Sequence, residues 1–166
     1  EAERYPQDYD GLWADGPGID CYNLMFSLLW APVVFSNEKH RVPISKFKKV
    51  YEMTRDGRCI SMGPFDLKSS AWVRFVKGLA GTETEDGPIT ALDIAVMLKI
   101  WCGPTLLDGS RITYGFGPEI AQWQIGKRRF GCLVENEQGD LSVFPIPLQC
   151  MRWIAHDPDL DIRTLT

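Results

Sequence analysis

The predicted fold depends on residues 18–30, which read GIDCYNLMFSLLW. A turn of Gly, Pro and Asp residues ends at Asp20, and an apolar segment with helical spacing begins at Cys21. A thiol at the start of a helix lies beside backbone N–H groups without intrahelical partners and beside the positive end of the helix dipole. Both favour the thiolate. The position of Cys21 therefore predicts a nucleophile for a thiol-dependent reaction.

Helix signals continue from this stretch to about residue 104. The first helix is predicted from Cys21 to Trp30, because Pro32 disfavours its continuation. A capping box of Thr90 and Asp93 is expected to begin the last helix of this part. The apolar spacing predicts two more helices between them, so the four are expected at about 21–30, 44–56, 66–79 and 90–102.

Beyond Pro104 the pattern changes to short apolar runs that are separated by turn residues, with Pro145 and Pro147 among them. A hairpin is expected around the loop 136–140, and a final strand is expected at Met151–Ile154. The predicted fold class is therefore α+β, with an N-terminal helical subdomain followed by an antiparallel β-sheet in one domain. Its expected parts are an irregular arm at 1–18, a helical half at 19–104, a sheet half at 105–157 and a tail at 158–166.

Composition limits the classes of partner. The formal net charge of −4 argues against nucleic acid and against an anionic membrane surface, and no apolar run is long enough to span a bilayer. An odd number of cysteines without a C-x-x-C pair indicates neither a disulfide framework nor a zinc site. We therefore expect a reducing compartment, the cytoplasm, with no metal and no cofactor. The cysteines are Cys21, Cys59, Cys102, Cys132 and Cys150.

The base that would activate the thiol must come from one of two histidines. His40 stands in a polar stretch that is typical of a solvated loop. His156 follows the predicted final strand and precedes Asp157, a carboxylate that could orient its imidazole. A surface histidine at the end of a strand is the alternative interpretation. The sequence therefore predicts catalytic roles for Cys21, His156 and Asp157.

The order of these features resembles the papain-like cysteine peptidase superfamily. In the leader proteinases of aphthoviruses, Cys-Trp-Leu-Asn opens the central helix much as residues 21–24, Cys-Tyr-Asn-Leu, do here. The helix entered from Gly87 and Pro88 looks like the second large helix of that family, and the segment 126–144 looks like its histidine-bearing hairpin. Bacterial cell-wall peptidases with a Gly-x-Asp-Cys signature are similar at residues 18–21, but they lack a helical insertion.

One departure from the family concerns the base. Where the leader proteinases carry the hairpin histidine, this chain offers Arg128, Arg129 or Phe130. A guanidinium stays protonated and cannot accept the thiol proton.

Three functional hypotheses are open, and the resemblance implies the first two of them. The first is a degenerate papain-like domain, of the leader-protein or effector type, that binds a protein or peptide partner in a groove between its halves. Its expected location is a reducing cytoplasm, with the cytosol of a host as one alternative. The second is an active thiol hydrolase of peptide or isopeptide bonds, in which Cys21 attacks the carbonyl. The third is an unrelated soluble interaction domain, in which Cys21 is the first buried residue of a core helix.

Overall fold

A computed structural model gives the structure of the protein. It describes residues 4–8, 10, 21–56, 70–113, 115, 124–125, 128–129, 134–135, 141–142 and 145–165. Five α-helices lie in this part, and short 3-10 turns at Pro6–Asp8 and Ile162–Thr164 lie near its two ends. The helices are α1 (Cys21–Glu38), α2 (Ile44–Asp56), α3 (Ser70–Lys77), α4 (Ala91–Cys102) and α5 (Pro145–Ala155).

Helix α1 begins at Cys21, as predicted, but it continues through Pro32 to Glu38, so the predicted end near Trp30 is wrong. An interior proline costs a helix about 3 kcal/mol. Full burial of an aliphatic side chain contributes about 1.5–3 kcal/mol. Because α1 packs against α4, α5 and the C-terminal 3-10 turn, several such side chains outweigh the proline. The buried hydrophobic residues of α1 are Leu28, Leu29, Ala31, Val33 and Val34.

The hydrophobic core lies where α1, α2, α3 and α4 meet. Phe47 of α2 is its centre, with ring centroids 6.5 Å from Phe35 and 6.0 Å from Trp101, both in edge-to-face geometry. Phe47 and Trp101 are fully buried. A further contact joins α1 to α4, because the indole nitrogen of Trp30 donates to the carbonyl of Lys99 at 2.9 Å. These contacts fix α1 and α2 against α4.

The capping box of α4 is confirmed. The Thr90 hydroxyl accepts from the Asp93 backbone N–H at 3.0 Å, and the Asp93 carboxylate accepts from the Thr90 backbone N–H at 2.7 Å. The helix ends at Cys102, and Gly103 follows it with a φ of +78°. The predicted end of this helix at Gly103 is also confirmed.

The predicted α+β fold class, with its papain-like antiparallel sheet, is wrong for the described part of the chain. Among the described residues, four strands of two residues each form two antiparallel pairs, and neither pair builds a layer. β1 (Gln124–Ile125) pairs with β2 (Arg128–Arg129), and β3 (Val134–Glu135) pairs with β4 (Leu141–Ser142).

Helix α5 is the clearest correction, because it contains the predicted final strand Met151–Ile154. Pro145 is its first residue and Pro147 lies in its first turn, where a missing N–H leaves no intrahelical hydrogen bond unmade. These prolines therefore begin a helix and do not separate two strands. The buried pair Pro147 and Met151, four residues apart, is the helical signal in this segment.

The C-terminal segment after α5 returns to α1. Arg152 donates from its Nε to the carbonyl of Leu160 at 3.1 Å, and the side-chain amide of Asn37 donates to the carbonyl of Leu165 at 3.3 Å. The predicted start of α3 near Asp66 lies outside the described residues. The end of α3 is followed by Gly78, whose N–H donates to the carbonyls of Arg74 and Phe75 at 3.0 Å.

Candidate functional site

The predicted nucleophile and one of the two histidines lie at opposite ends of α1. Cys21 is the first residue of the helix, and its side chain lies outside the described residues. An α-helix rises about 1.5 Å per residue, so the Cα atoms of Cys21 and Glu38 are about 25 Å apart. His40 follows Glu38 by two residues. His40 therefore lies far from the backbone of Cys21.

His156 and Asp157, the predicted base and its orienting acid, form the end of α5. The His156 N–H donates to the Trp153 carbonyl at 3.3 Å, and the Asp157 N–H donates to the Arg152 carbonyl at 3.0 Å. This is the hydrogen-bond pattern of a Schellman motif, and the φ of His156 is +52°. The Asp157 carboxylate accepts from the Asp159 N–H at 3.0 Å. Both residues are exposed and serve the turn that follows the helix.

A different histidine and acid are joined in the structure. The Nε2 atom of His40 lies 2.8 Å from Oδ1 of Asp93, and Nζ of Lys46 donates to Oδ2 of Asp93 at 2.8 Å. Oδ2 also accepts from the Thr90 hydroxyl at 2.8 Å and from the Thr90 N–H at 2.7 Å. The exposed fractions of the charged side chains are 1% for Asp93, 8% for Lys46 and 29% for His40. We call His40, Lys46, Thr90 and Asp93 the Asp93 cluster.

The charge of Asp93 is stabilised inside the fold. Burial by itself raises the pKa of the carboxyl, but the hydrogen bonds from Lys46, Thr90 and His40 together hold this pKa well below its usual range. The Asp93 cluster therefore links three chain segments: the connection after α1, helix α2 and the first turn of α4. Its carboxylate accepts a hydrogen bond from each of the other members.

A loop between α3 and α4, residues 82–89, carries three exposed acids, and we call it the acidic loop. The Gly81 N–H donates to the Ile89 carbonyl at 2.8 Å, and the Ile89 N–H donates to the Thr82 carbonyl at 2.9 Å. The Thr84 hydroxyl donates to the Gly87 carbonyl at 2.6 Å, and Gly87 has a φ of +85° that a side chain would strain. Ile89 is fully buried. The loop is therefore held in one conformation by its own hydrogen bonds and by its anchor in the core.

A groove of about 870 Å³ lies between α2, with the connection before it, and the acidic loop. The Ser45 hydroxyl donates to the Asp86 carboxylate at 2.5 Å and ties the two sides together. Residues of α2 and of the connection before it line one side: Arg41, Pro43, Ile44, Ser45, Lys48, Lys49 and Glu52. Residues 83–86, Glu-Thr-Glu-Asp, line the other side.

The two sides of the groove differ in charge. The α2 side has three cations and one acid, whereas the acidic loop has three acids and no cation. Within the described residues, Lys48 and Lys49 make no hydrogen bond or ion pair with Glu83 or Glu85. Lys48 and Lys49 on one side and Glu83 and Glu85 on the other therefore line the groove without pairing across it, which leaves these four charges available to a ligand.

Sequence reasoning did not identify these residues as a site. The run of residues 46–49, Lys-Phe-Lys-Lys, is too short to indicate nucleic-acid binding, and residues 83–86 are typical of a solvated loop. One signal is present in the chain: two short clusters of opposite sign, each next to a predicted helix start. Their proximity depends on the packing of α2 against α4, which the composition of either cluster does not encode.

Comparison with known proteins identifies no relative of the chain. No family model matches the chain, and neither curated proteins nor solved structures give a match. Among the described residues, no helix combines the length and apolar character needed to cross a bilayer. The same residues contain no group of three His, Cys, Asp or Glu side chains placed to hold a metal ion.

Proposed function

We propose that the chain is an interaction domain that binds a protein partner in the groove between α2 and the acidic loop. The observation that carries this proposal is that Lys48 and Lys49 line one side of the groove and Glu83 and Glu85 line the other, with no ion pair between these two sets among the described residues. The proposal replaces the predicted groove between a helical half and a sheet half, because the described part has no such sheet.

The hydrogen bonds of the Asp93 cluster hold both sides of the groove, which favours binding without a large rearrangement of the backbone. The Asp93 cluster fixes Lys46, which lies two residues before Lys48, and its Thr90 fixes the chain directly after the acidic loop. A preformed groove loses less conformational entropy on binding than a mobile one. Asp93 itself is nearly inaccessible, so this cluster acts as a scaffold beneath the site.

The experiment is a selection of peptides followed by charge reversal. A random peptide library displayed on phage is panned against the native chain, and enriched peptides are measured by fluorescence polarisation. We expect the K48E/K49E variant to weaken their binding at least about tenfold, since both ammonium groups line the groove. The matched control is R74E/K77E, which makes the same charge change on exposed positions of α3 outside the groove.

Two outcomes contradict the proposal. Failure to enrich any peptide argues against a peptide-binding groove, and equal loss of affinity in both variants indicates a general charge effect. Equal unfolding midpoints for the native chain and both variants ensure that the comparison concerns binding.

A thiol hydrolase that uses Cys21 is the second candidate, and one observation favours it: Cys21 is the first residue of α1, as the resemblance to papain-like peptidases implies. Rapid alkylation of the native chain by iodoacetamide near neutral pH, lost in Cys21→Ala, supports this candidate. Hydrolysis of peptide or isopeptide substrates that Cys21→Ala and His156→Ala both abolish would establish it. Alkylation of Cys21 only after unfolding rules it out.

The place of action that we propose is a reducing cytoplasm. The support is the cysteine content of the chain together with the free thiol of Cys150, which is half-buried on α5. Incubation with an oxidising glutathione buffer should leave the unfolding midpoint of the chain unchanged or lower it. A rise in the midpoint that depends on a disulfide would argue for an oxidising compartment.

A further inference from the structure

The groove has two sides of opposite sign, and this limits the chemistry of a partner that can fill it. A purely acidic segment would meet the carboxylates of the acidic loop, and a purely basic segment would meet Lys48 and Lys49. Juxtaposition of like charges is unfavourable, so either segment would gain at one side and lose at the other. A partner that satisfies both sides must carry both signs and must separate them in space.

An extended chain separates the signs in the simplest way. Successive side chains of a β-strand point to opposite faces, so alternating acids and bases place all carboxylates on one face and all ammonium groups on the other. A strand that lies along the groove can then present its acids to Lys48 and Lys49 and its bases to Glu83 and Glu85.

We infer that the groove recognises an extended peptide segment in which acidic and basic residues alternate. This inference rests on the proposed function and names the partner class for the same site. The supporting observation is the distribution of charge on the lining residues: Arg41, Lys48 and Lys49 with Glu52 on one side, and Glu83 with its two acidic neighbours on the other. Glu52 lies one helical turn after Lys48, so the cationic character of the α2 side is strongest near the start of the helix.

The test compares synthetic peptides of equal length. The alternating peptide is (Glu-Lys)₄, the block peptide is Glu₄-Lys₄, and the neutral peptide is (Gln-Ser)₄. We expect the alternating peptide to bind the native chain at least about tenfold more tightly than the other two, with an affinity that falls as salt is added. The block peptide has the same composition, so it controls for net charge and for charge density.

Variants of the protein test the two sides separately and together. The K48E/K49E variant should no longer bind the alternating peptide, and the E83K/E85K variant should also fail to bind it. The fourfold variant K48E/K49E/E83K/E85K should bind the alternating peptide again, because a shift of the peptide strand by one residue exchanges its acidic and basic faces. Damage to the fold would not be repaired by two further substitutions, so recovery is a signature of recognition by both sides.

The possible results divide as follows. If peptides from the random library bind in the groove but the alternating peptide binds no better than the block peptide, this inference is overturned and the proposed function stands. If neither kind of peptide binds, both this inference and the proposed function are wrong. If the alternating peptide binds the native chain and the fourfold variant remains inactive with an unchanged unfolding midpoint, recognition by two sides is wrong.

Discussion

Each of the two histidines of the chain has an acidic neighbour, but one of these acids is adjacent in sequence and the other is adjacent in space. His156 and Asp157 are neighbours in sequence, yet their backbones close the Schellman motif and the Asp157 carboxylate caps the following turn. His40 and Asp93 are 53 residues apart, yet their side chains are joined at 2.8 Å over a buried lysine. The comparison teaches that an acid beside a histidine in sequence is weak evidence for a hydrogen-bonded pair, because adjacent side chains in a turn diverge.

The largest expected effect is a difference in stability between substitution of Asp93 and substitution of Asp157. Asp93→Asn leaves the ammonium of Lys46 buried without a carboxylate, which we expect to lower the free energy of unfolding by about 3–5 kcal/mol. Asp157→Asn keeps an acceptor for the exposed turn, so its effect should stay within about 0.5 kcal/mol. Urea denaturation of both variants measures the difference.

A double variant distinguishes loss of a charge partner from loss of packing. Lys46→Met combined with Asp93→Asn removes the buried charge altogether, and it should recover a large part of the lost stability. Similar stability of the two single variants, Asp93→Asn and Asp157→Asn, would show that the Asp93 cluster contributes little.

The next effect is the dependence of stability on pH. The folded pKa of Asp93 is lowered, so the unfolded chain binds its proton at a higher pH than the folded chain does. The contribution of Asp93 to stability is therefore complete well above the unfolded pKa of about 3.9 and is lost as the pH falls toward the folded value. Between about pH 6 and pH 3, unfolding midpoints should fall more steeply for the native chain than for Asp93→Asn. Parallel curves would contradict this assignment.

A smaller effect is expected at His40. His40→Ala removes a donor to a buried carboxylate, and because the imidazole is partly exposed we expect a loss of about 1–2 kcal/mol. His40→Gln, which retains an N–H donor, should lose less. Thermal unfolding of the two variants provides the measurement, and an alanine variant as stable as the native chain would mean that water replaces the imidazole at no cost.

The smallest effect should have the opposite sign. His156 holds a φ of +52°, a conformation that glycine adopts without strain, so His156→Gly should stabilise the chain by about 0.5–1 kcal/mol. The matched variant His156→Ala keeps the strained backbone and should give no gain. Thermal unfolding of both variants measures the change. A destabilised glycine variant would show that the imidazole makes a contact that outweighs the strain.

Features that depend on neighbours in the chain were predictable. The start of α1 at Cys21, the extent of α2 and both ends of α4 follow from capping residues, glycines and apolar spacing. Features that depend on competition between local preference and tertiary packing were not predictable from the sequence. Pro32 is tolerated because α1 is buried on several sides, and Pro145 and Pro147 begin a helix in a segment where the sequence pattern indicates turns.

The candidate site shows the same division. The sequence by itself determined that Thr90 and Asp93 form a capping box, because the partners of that motif are three residues apart. Only the tertiary structure decided that the same carboxylate also accepts from His40 and Lys46, and that Lys48 and Lys49 share a groove with residues 83–86. The physical reason is range: capping acts within one helical turn, whereas the pairing of distant charges depends on the core around Phe47 that positions α2 against α4.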